Sequence, residues 1–328
     1  HFTHLFIDEA AQATQPETLI LFSVVVDPYP GIRKVEIVLS GDPRQLQPAV
    51  YSSTAAAAGR NRSLMQRLLQ RPVRCLGDGN ENMLGPNLVQ MEDWLQYSFE
   101  RDGQEQLSIF LTTNYRGHAS FLMMPSALFY GDRLLSAGTD KDQVDGPTYW
   151  CEKLRVVEQL SEPASISITQ AANTQSLPDA LELRKQLSWP MHFRGVVGKD
   201  ASVTIESFAG WNSWSNLKEA EAVTDIVITL TEQGVSSQSI GVMAPFRGQV
   251  ALIRKLLRIK GFGAVGVGTV ENYQAVEFDV IVLSVTRSTH AFVESDIKRR
   301  MGLLGQAKRS NVALTRAEHL LIVVGDPK

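Results

Sequence analysis

The sequence predicts an α/β protein organised as two doubly wound parallel-sheet domains. Three observations carry that expectation. Short apolar runs rich in Val, Ile and Leu recur, and each ends at Gly, Pro, Asp, Glu or a hydroxyl residue. Segments with a helical period lie between them. The alternation falls into two blocks, residues 1–106 and 107–328. Hydrophobicity that is continuous rather than alternating marks strands buried on both faces, as in a parallel sheet covered by helices.

In chain order the strand runs are "HLFIDE", "VEIVLSGD", "IGVMAP", "FDVIVLSVT" and "LLIVVGD". Over 217–233, Leu217, Ala220, Val223, Ile226 and Leu230 share one helical face, and Gly234 stops the run. Over 247–260, Val250, Ile253, Leu256 and Leu257 do the same, with Gly261 as the cap. Residues 138–190 are rich in Ser, Gln, Ala and Pro with weak periodicity, and are expected to form a mobile insertion. The chain opens without Met inside a structured-looking segment. The expectation is therefore a fragment whose first domain is incomplete at its N-terminus.

A net charge of −3 argues against a uniformly basic coat, so any nucleic-acid site must be a local groove. The cysteines, Cys75 and Cys151, are far apart and offer neither a disulfide framework nor zinc spacing. No apolar run approaches the ~20 residues of a membrane helix. Together these fit the reducing cytosol or the nucleus, with a cytoplasmic location expected and no membrane partner.

Two strand ends carry polar tips. The first run stops at Asp8 and Glu9; in doubly wound sheets ligands bind beyond the carboxyl ends of strands. One acid can hold Mg²⁺ while the next orients or deprotonates a water. The plain alternative is that the pair precedes or caps a helix. The second run ends in Ser40-Gly41-Asp42-Pro43, where Gly41 permits close backbone approach and Gln45 can contact both a phosphate oxygen and a water. The alternative there is a simple turn. Two such tips at one sheet edge fit an NTPase core. Arg116, beside Tyr115, and Arg316 lie in apolar stretches, where an unpaired charge would cost several kcal/mol. A guanidinium fork suits phosphate. Tyr115 either stacks on a base or is a core aromatic.

In sequence order "DEAA", "GDPRQL", "NYR", "GTVENYQAVEFDVIVLS" and "NVALTRA…VVGDPK" follow motifs II to VI of superfamily 1 helicases, which this chain resembles. "MHFRGVVGKDA" and "APFRGQV" narrow the resemblance to the Armitage-type RNA helicases, in the nonsense-mediated-decay branch. The resemblance implies two RecA-like domains and ATP-dependent movement on single-stranded RNA, 5′ to 3′, with silencing-complex or other ribonucleoprotein partners. It implies that Asp8 binds Mg²⁺, Glu9 activates water and Gln45 senses the γ-phosphate of ATP. Gly41 and Asp42 line the nucleotide, Tyr115 packs on adenine and Glu277 holds the ribose. Arg116 and Arg316 reach the γ-phosphate from the second domain, so that domain closure controls hydrolysis.

For nucleic acid, Thr269 either donates to a backbone phosphate or is a strand hydroxyl. Arg247 and Gln249 open a helix whose N-terminal amides can bind phosphate. Arg254, Lys255, Arg258 and Lys260 read as a solvated helix face, and Lys308 and Arg309 read similarly.

Two positions depart from the family pattern. Ala275 stands where the family has glycine in "QAVE", and Ala resists φ > 0. Gln47 stands where it usually has Gly. No Gly-Lys-Ser/Thr cradle is found, since Asp200 follows the Gly-Lys of "GVVGKDA". A non-catalytic RNA-binding remnant and a DNA helicase of the same superfamily are the competing readings. The backbone-gripping motifs do not separate RNA from DNA.

Overall fold

The computed structural model describes residues 2–26, 35–50, 52–70, 109–137, 190–205, 211–299 and 301–327. The chain divides into two compact units, His1–Thr112 and Thr113–Lys328. The expected insertion, Pro190 apart, and both cysteines lie outside the described residues. Among the described residues no helix is long and apolar enough to cross a membrane.

In the first unit, β1 (His4–Ile7) and β2 (Glu36–Leu39) pair in parallel, from His4 beside Glu36 to Ile7 beside Leu39. Helix α1 (Gln15–Val25) lies between them in sequence. Thr14 opens it: its backbone N–H and its hydroxyl both donate to Glu17, each at 2.7 Å, and Pro16 occupies the first turn. Helices α2 (Ser53–Ala57) and α3 (Leu64–Leu69) follow, capped by the hydroxyls of Ser52 and Ser63.

One expectation fails in this unit. Continuous hydrophobicity predicts burial on both faces, yet Phe6 is 71% exposed and Val38 45%. Of the eight strand residues only Ile7 is buried.

The second unit opens with β3 (Thr113–Asn114) and β4 (Leu135–Ser136), a short parallel pair flanking α4 (Ala119–Phe129). Next come β5 (Met191–Gly195) and an antiparallel hairpin of β6 (Asp200–Ile205) and β7 (Trp211–Asn216). The remainder is α5 (Leu217–Glu232), β8 (Ile240–Met243), α6 (Arg247–Ile259), β9 (Gly266–Gly268), a 3₁₀ turn (Val270–Tyr273), β10 (Phe278–Ser284), α7 (His290–Arg299), α8 (Ala307–Leu314) and β11 (Ala317–Gly325). The main sheet runs β5-β11-β10-β8-β9, with every neighbouring pair parallel.

Its core matches the sequence pattern. Val280 and Val282 of β10, Leu320 and Ile322 of β11 and Ile240 and Val242 of β8 pack with Val223, Val227 and Leu230 of α5 and Ile253 and Leu257 of α6. Burying each of these aliphatic side chains contributes roughly 1.5–3 kcal/mol. Ile281 and Leu283 point to the opposite face and are buried too, which is why β10 reads as an unbroken apolar run. Gly234 and Gly261, at φ +89° and +87°, end α5 and α6 in the left-handed conformation that stops a helix.

Candidate functional site

Asp8 and Glu9 follow β1 directly, and Ser40-Gly41-Asp42 follow β2, so both polar tips lie at the carboxyl ends of paired strands. The tips are tied together. The Ser40 amide donates to the Ile7 carbonyl at 2.9 Å, and the Ala10 amide donates to the Ser40 carbonyl at 2.8 Å. A Cβ on Gly41 (φ +149°) would stand 3.0 Å and 3.1 Å from the amides of Ala11 and Ala10, so this approach needs glycine. The Ser40 hydroxyl makes a short hydrogen bond to Asp8 Oδ1, and the Glu9 amide donates to the same oxygen at 2.9 Å. Those donors hold the exposed Asp8 carboxyl below its ordinary range. An ionised, accessible carboxylate beside a hydroxyl is a donor set that fits Mg²⁺.

Helix capping does not explain these acids, because the cap of α1 is Thr14. Glu9 itself sits at φ +51°, an unusual conformation for a non-glycine residue, and its carboxylate accepts from Gln12 Nε2 at 2.7 Å. In the second tip, Asp42 shapes the loop. One carboxylate oxygen accepts the Arg44 amide at 2.8 Å, and the other accepts Gln45 Nε2 at 3.0 Å.

The second unit gathers the arginines at the opposite polarity, ahead of the amino ends of β10 and β11. Arg116 lies 2.5 Å from Glu277 Oε1 and donates to the Thr315 carbonyl at 3.3 Å. Arg316 donates to the Thr315 hydroxyl at 3.0 Å and is only 3% exposed. Thr315 is thus a common anchor for both guanidinium groups, and sequence reading did not single it out. Tyr115 is 75% exposed, so it is no core aromatic.

The nucleic-acid candidates divide. Arg247 is exposed at the start of α6. Gln249 is fully buried: its Oε1 accepts the Asn216 amide at 2.7 Å, while its Nε2 donates to the Asn216 carbonyl and to Ser284 Oγ. It braces the fold and has no surface for direct contact. One of the expected phosphate-binding amides of α6 is also taken. The Gly248 amide donates to Ser213 Oγ at 2.9 Å, and a Cβ on Gly248 would stand 2.7 Å from the Trp214 carbonyl oxygen. Hairpin β6–β7 is seated on that helix end, and its only sequence signal is the period-2 alternation of Ala201, Val203 and Ile205.

Thr269 lies just beyond β9, outside any strand. Its amide and hydroxyl donate to Asn272 Oδ1 at 3.0 Å and 3.1 Å. Arg254 is exposed as expected of a solvated helix face, although its Nε also donates to the Val267 carbonyl at 2.9 Å; Arg309, read as solvated too, is buried at 9% exposure. Ala275 adopts φ +58°, the left-handed conformation that favours glycine.

Beneath the Gln249 side of the sheet lies a buried polar network. Glu219 Oε2 accepts Ser284 Oγ and the Thr286 amide, each at 2.7 Å, and Oε1 accepts Asn216 Nδ2 at 3.2 Å. Burial pushes the Glu219 carboxyl up to about 7 against those hydrogen bonds, and the charges of Asp200 and Asp326 push the same way. Thr286, a β-branched residue at φ +74°, is held by Glu219 through its amide and by Asn216 through its carbonyl. Among the described residues one further group, Asp279, Glu318 and His319, brings potential metal-ligating atoms within 4.8 Å of one another. There His319 Nδ1 stands 3.3 Å from Asp279 Oδ1.

Two family profiles, each described as an AAA domain, match residues 1–53 and 93–328. Over its whole length the chain is 34% identical to the RNA helicase Mov10l1 of Homo sapiens and 30% identical to the probable RNA helicase armi of Drosophila melanogaster. It covers 22% and 23% of those proteins, so it spans less than a quarter of their length. It is also 28% identical, over 99% of the chain and 37% of the relative, to the DNA polymerase alpha-associated DNA helicase A of Schizosaccharomyces pombe.

Proposed function

We propose a function from one premise: the chain belongs to the AAA-domain family, in its superfamily 1 helicase branch. The function is ATP-driven movement on single-stranded RNA. The observation that supports it best is the gathering of Arg116 and Arg316 on Thr315 beside Glu277. Both guanidinium groups are fixed in direction there, and a planar fork of this kind suits phosphate.

In this reading Asp8 holds Mg²⁺, which when bound neutralises phosphate charge. Glu9 accepts a proton from the attacking water as the bond to the γ-phosphorus forms. Gln45 orients that water, and ADP leaves carrying the released bond's electrons. Arg116 and Arg316 stabilise charge on the transferred phosphoryl oxygens, an effect worth roughly 10³–10⁵ in rate. Tyr115 stacks on adenine and Glu277 holds the ribose. Thr269 and Arg247 face the nucleic-acid backbone, with ribonucleoprotein assemblies in the cytoplasm, including those of RNA silencing, as the setting.

The names of the two RNA helicases favour RNA, and that of the fission-yeast relative makes DNA the competitor. Hydrolysis by the intact protein, measured with matched RNA and DNA strands, tests both. RNA stimulation together with 5′-to-3′ strand displacement supports the reading. Stimulation by DNA alone replaces the substrate, and the absence of hydrolysis leaves a non-catalytic binder. The 328 residues contain no Gly-Lys-Ser/Thr, so by themselves they are expected to bind ATP weakly and turn it over poorly. Robust RNA-stimulated turnover by this chain alone would refute that.

A further inference from the structure

Helix α8 is short, and its two ends meet different parts of the candidate machinery. Near its start, Arg309 is buried and its guanidinium meets three partners. Its Nε and Nη2 stand 2.8 Å and 3.1 Å from the two carboxylate oxygens of Glu271. The same Nη2 donates to the Pro245 carbonyl at 3.0 Å, and Nη1 donates to the Gly302 carbonyl at 3.3 Å. Glu271 is two residues after Thr269, and Pro245 is two residues before Arg247. One guanidinium therefore grips both loops that carry the accessible nucleic-acid candidates.

At the other end α8 runs into Thr315 and Arg316. Arg316 comes seven positions after Arg309, two beyond the last residue of α8, and seven helical steps span roughly 10 Å. Midway, Asn311 Nδ2 donates to Tyr130 Oη at 2.7 Å in a buried contact, tying α8 to the residue that ends α4. Held at three points, the helix can shift only as a rigid piece. Burial disfavours the charged form of Glu271, but the Arg309 charge, together with hydrogen bonds from the Glu271 backbone, Thr269 and Arg309, holds the carboxyl below its ordinary range, so the contact is a charge-assisted pair.

Resting on the function proposed above, we propose that Arg309 is a positioning residue that couples single-stranded nucleic-acid binding at the Thr269 and Arg247 loops to the placement of Arg316, acting through Glu271 and helix α8. A phosphate arriving at either loop displaces Glu271 or Pro245, and the guanidinium passes the displacement along the helix. Direct catalysis is no part of its role.

The test uses the intact protein and the variants Glu271→Gln and Arg309→Lys, with oligouridylate as the probe. Three quantities are read: ATP hydrolysis without RNA, ATP hydrolysis at saturating RNA, and RNA affinity, with the melting temperature confirming folding. The expected result is a loss of about tenfold in the RNA-stimulated increment. The basal rate and RNA affinity stay within about threefold. Glu271→Gln, whose side chain lies near the surface, guards against a folding defect in Arg309→Lys. Unchanged stimulation in both variants overturns the proposal. So does an equal fall in basal and stimulated rates, which would mean a merely structural role. If the unmodified protein shows no RNA-stimulated hydrolysis, the underlying function fails and the inference goes with it. That outcome is distinguishable because it appears before any substitution is made.

Discussion

Arg116 and Glu277, 161 positions apart in the sequence (277 − 116), meet at 2.5 Å between Nη2 and Oε1, with Arg116 also bonded to the Thr315 carbonyl. The pair links the segment after β3 to the segment before β10 and presets the direction of the guanidinium. Positioning of this kind lowers the reorganisation needed when charge develops on a substrate.

Arg116→Ala and Arg316→Lys are expected to lower the kcat of ATP hydrolysis in the intact protein by about 10³ or more. Nucleic-acid affinity should change little. Lys is chosen at 316 because the site is 3% exposed and an Ala would leave a cavity among polar groups. Steady-state kinetics with a parallel binding titration check this; a loss below tenfold in both variants would remove these residues from the reaction.

Ala275 carries a conformational cost that its family's usual glycine avoids. A left-handed L-residue costs about 1–2 kcal/mol, partly offset by the flexibility that glycine adds to the unfolded chain. Ala275→Gly should therefore stabilise the protein by roughly 1 kcal/mol, or about 2–4 °C in melting temperature. Differential scanning calorimetry measures it, and a decrease in stability would contradict the strained φ.

Glu219 makes stability fall as pH rises. Its carboxyl titrates at about 7 in the folded protein against an ordinary value of 4.5, so between those limits the native state binds the extra proton. Linkage then gives a negative slope in that window, amounting to a few kcal/mol at about 1.4 kcal/mol per pKa unit. Asp200 and Glu271, whose carboxyls are lowered, give the opposite slope below the window, so stability should peak on its acid side. Denaturant titrations from pH 5 to 8 should show the decline, and Glu219→Gln should flatten it. An unchanged slope in that variant would place the titrating group elsewhere.

Tyr273 and Gly241 share one packing arrangement. The Tyr273 hydroxyl accepts the Val242 amide at 3.0 Å and donates to the Gly266 carbonyl at 2.8 Å, joining β8 to β9. Tyr273→Phe leaves those backbone groups short of a partner and should cost about 1–3 kcal/mol. A Cβ at Gly241 would stand 2.8 Å from the rings of both Tyr273 and Phe278, so Gly241→Ala should destabilise by a similar or larger amount. Equilibrium unfolding resolves both.

What could be read from the sequence follows from how each element is stabilised. The strands β8, β10 and β11 and the helices α5 and α6 were legible because burial on both sheet faces leaves a continuous apolar run, and because glycines end the helices. β5 was not, since an edge strand can carry His192 and Arg194 and so reads as polar. Asp8 and Glu9 were legible because they terminate an apolar run. The engagement of Arg309 was not, because its partner Glu271 lies 38 residues away and a charge beside a motif looks solvated until the fold closes. Gln249 was misread for the same reason: hairpin β6–β7, which covers the helix end beside it, has a weak polar alternation and no strong turn signal.

The hairpin has one more consequence. Trp214 on β7 lies 4.0 Å below the Arg287 guanidinium, while its carbonyl crowds Gly248 beside Arg247. A ligand that shifts the start of α6 at Arg247 is therefore expected to change the surroundings of that indole. Its emission offers an intrinsic optical readout of occupancy at this face, without a label.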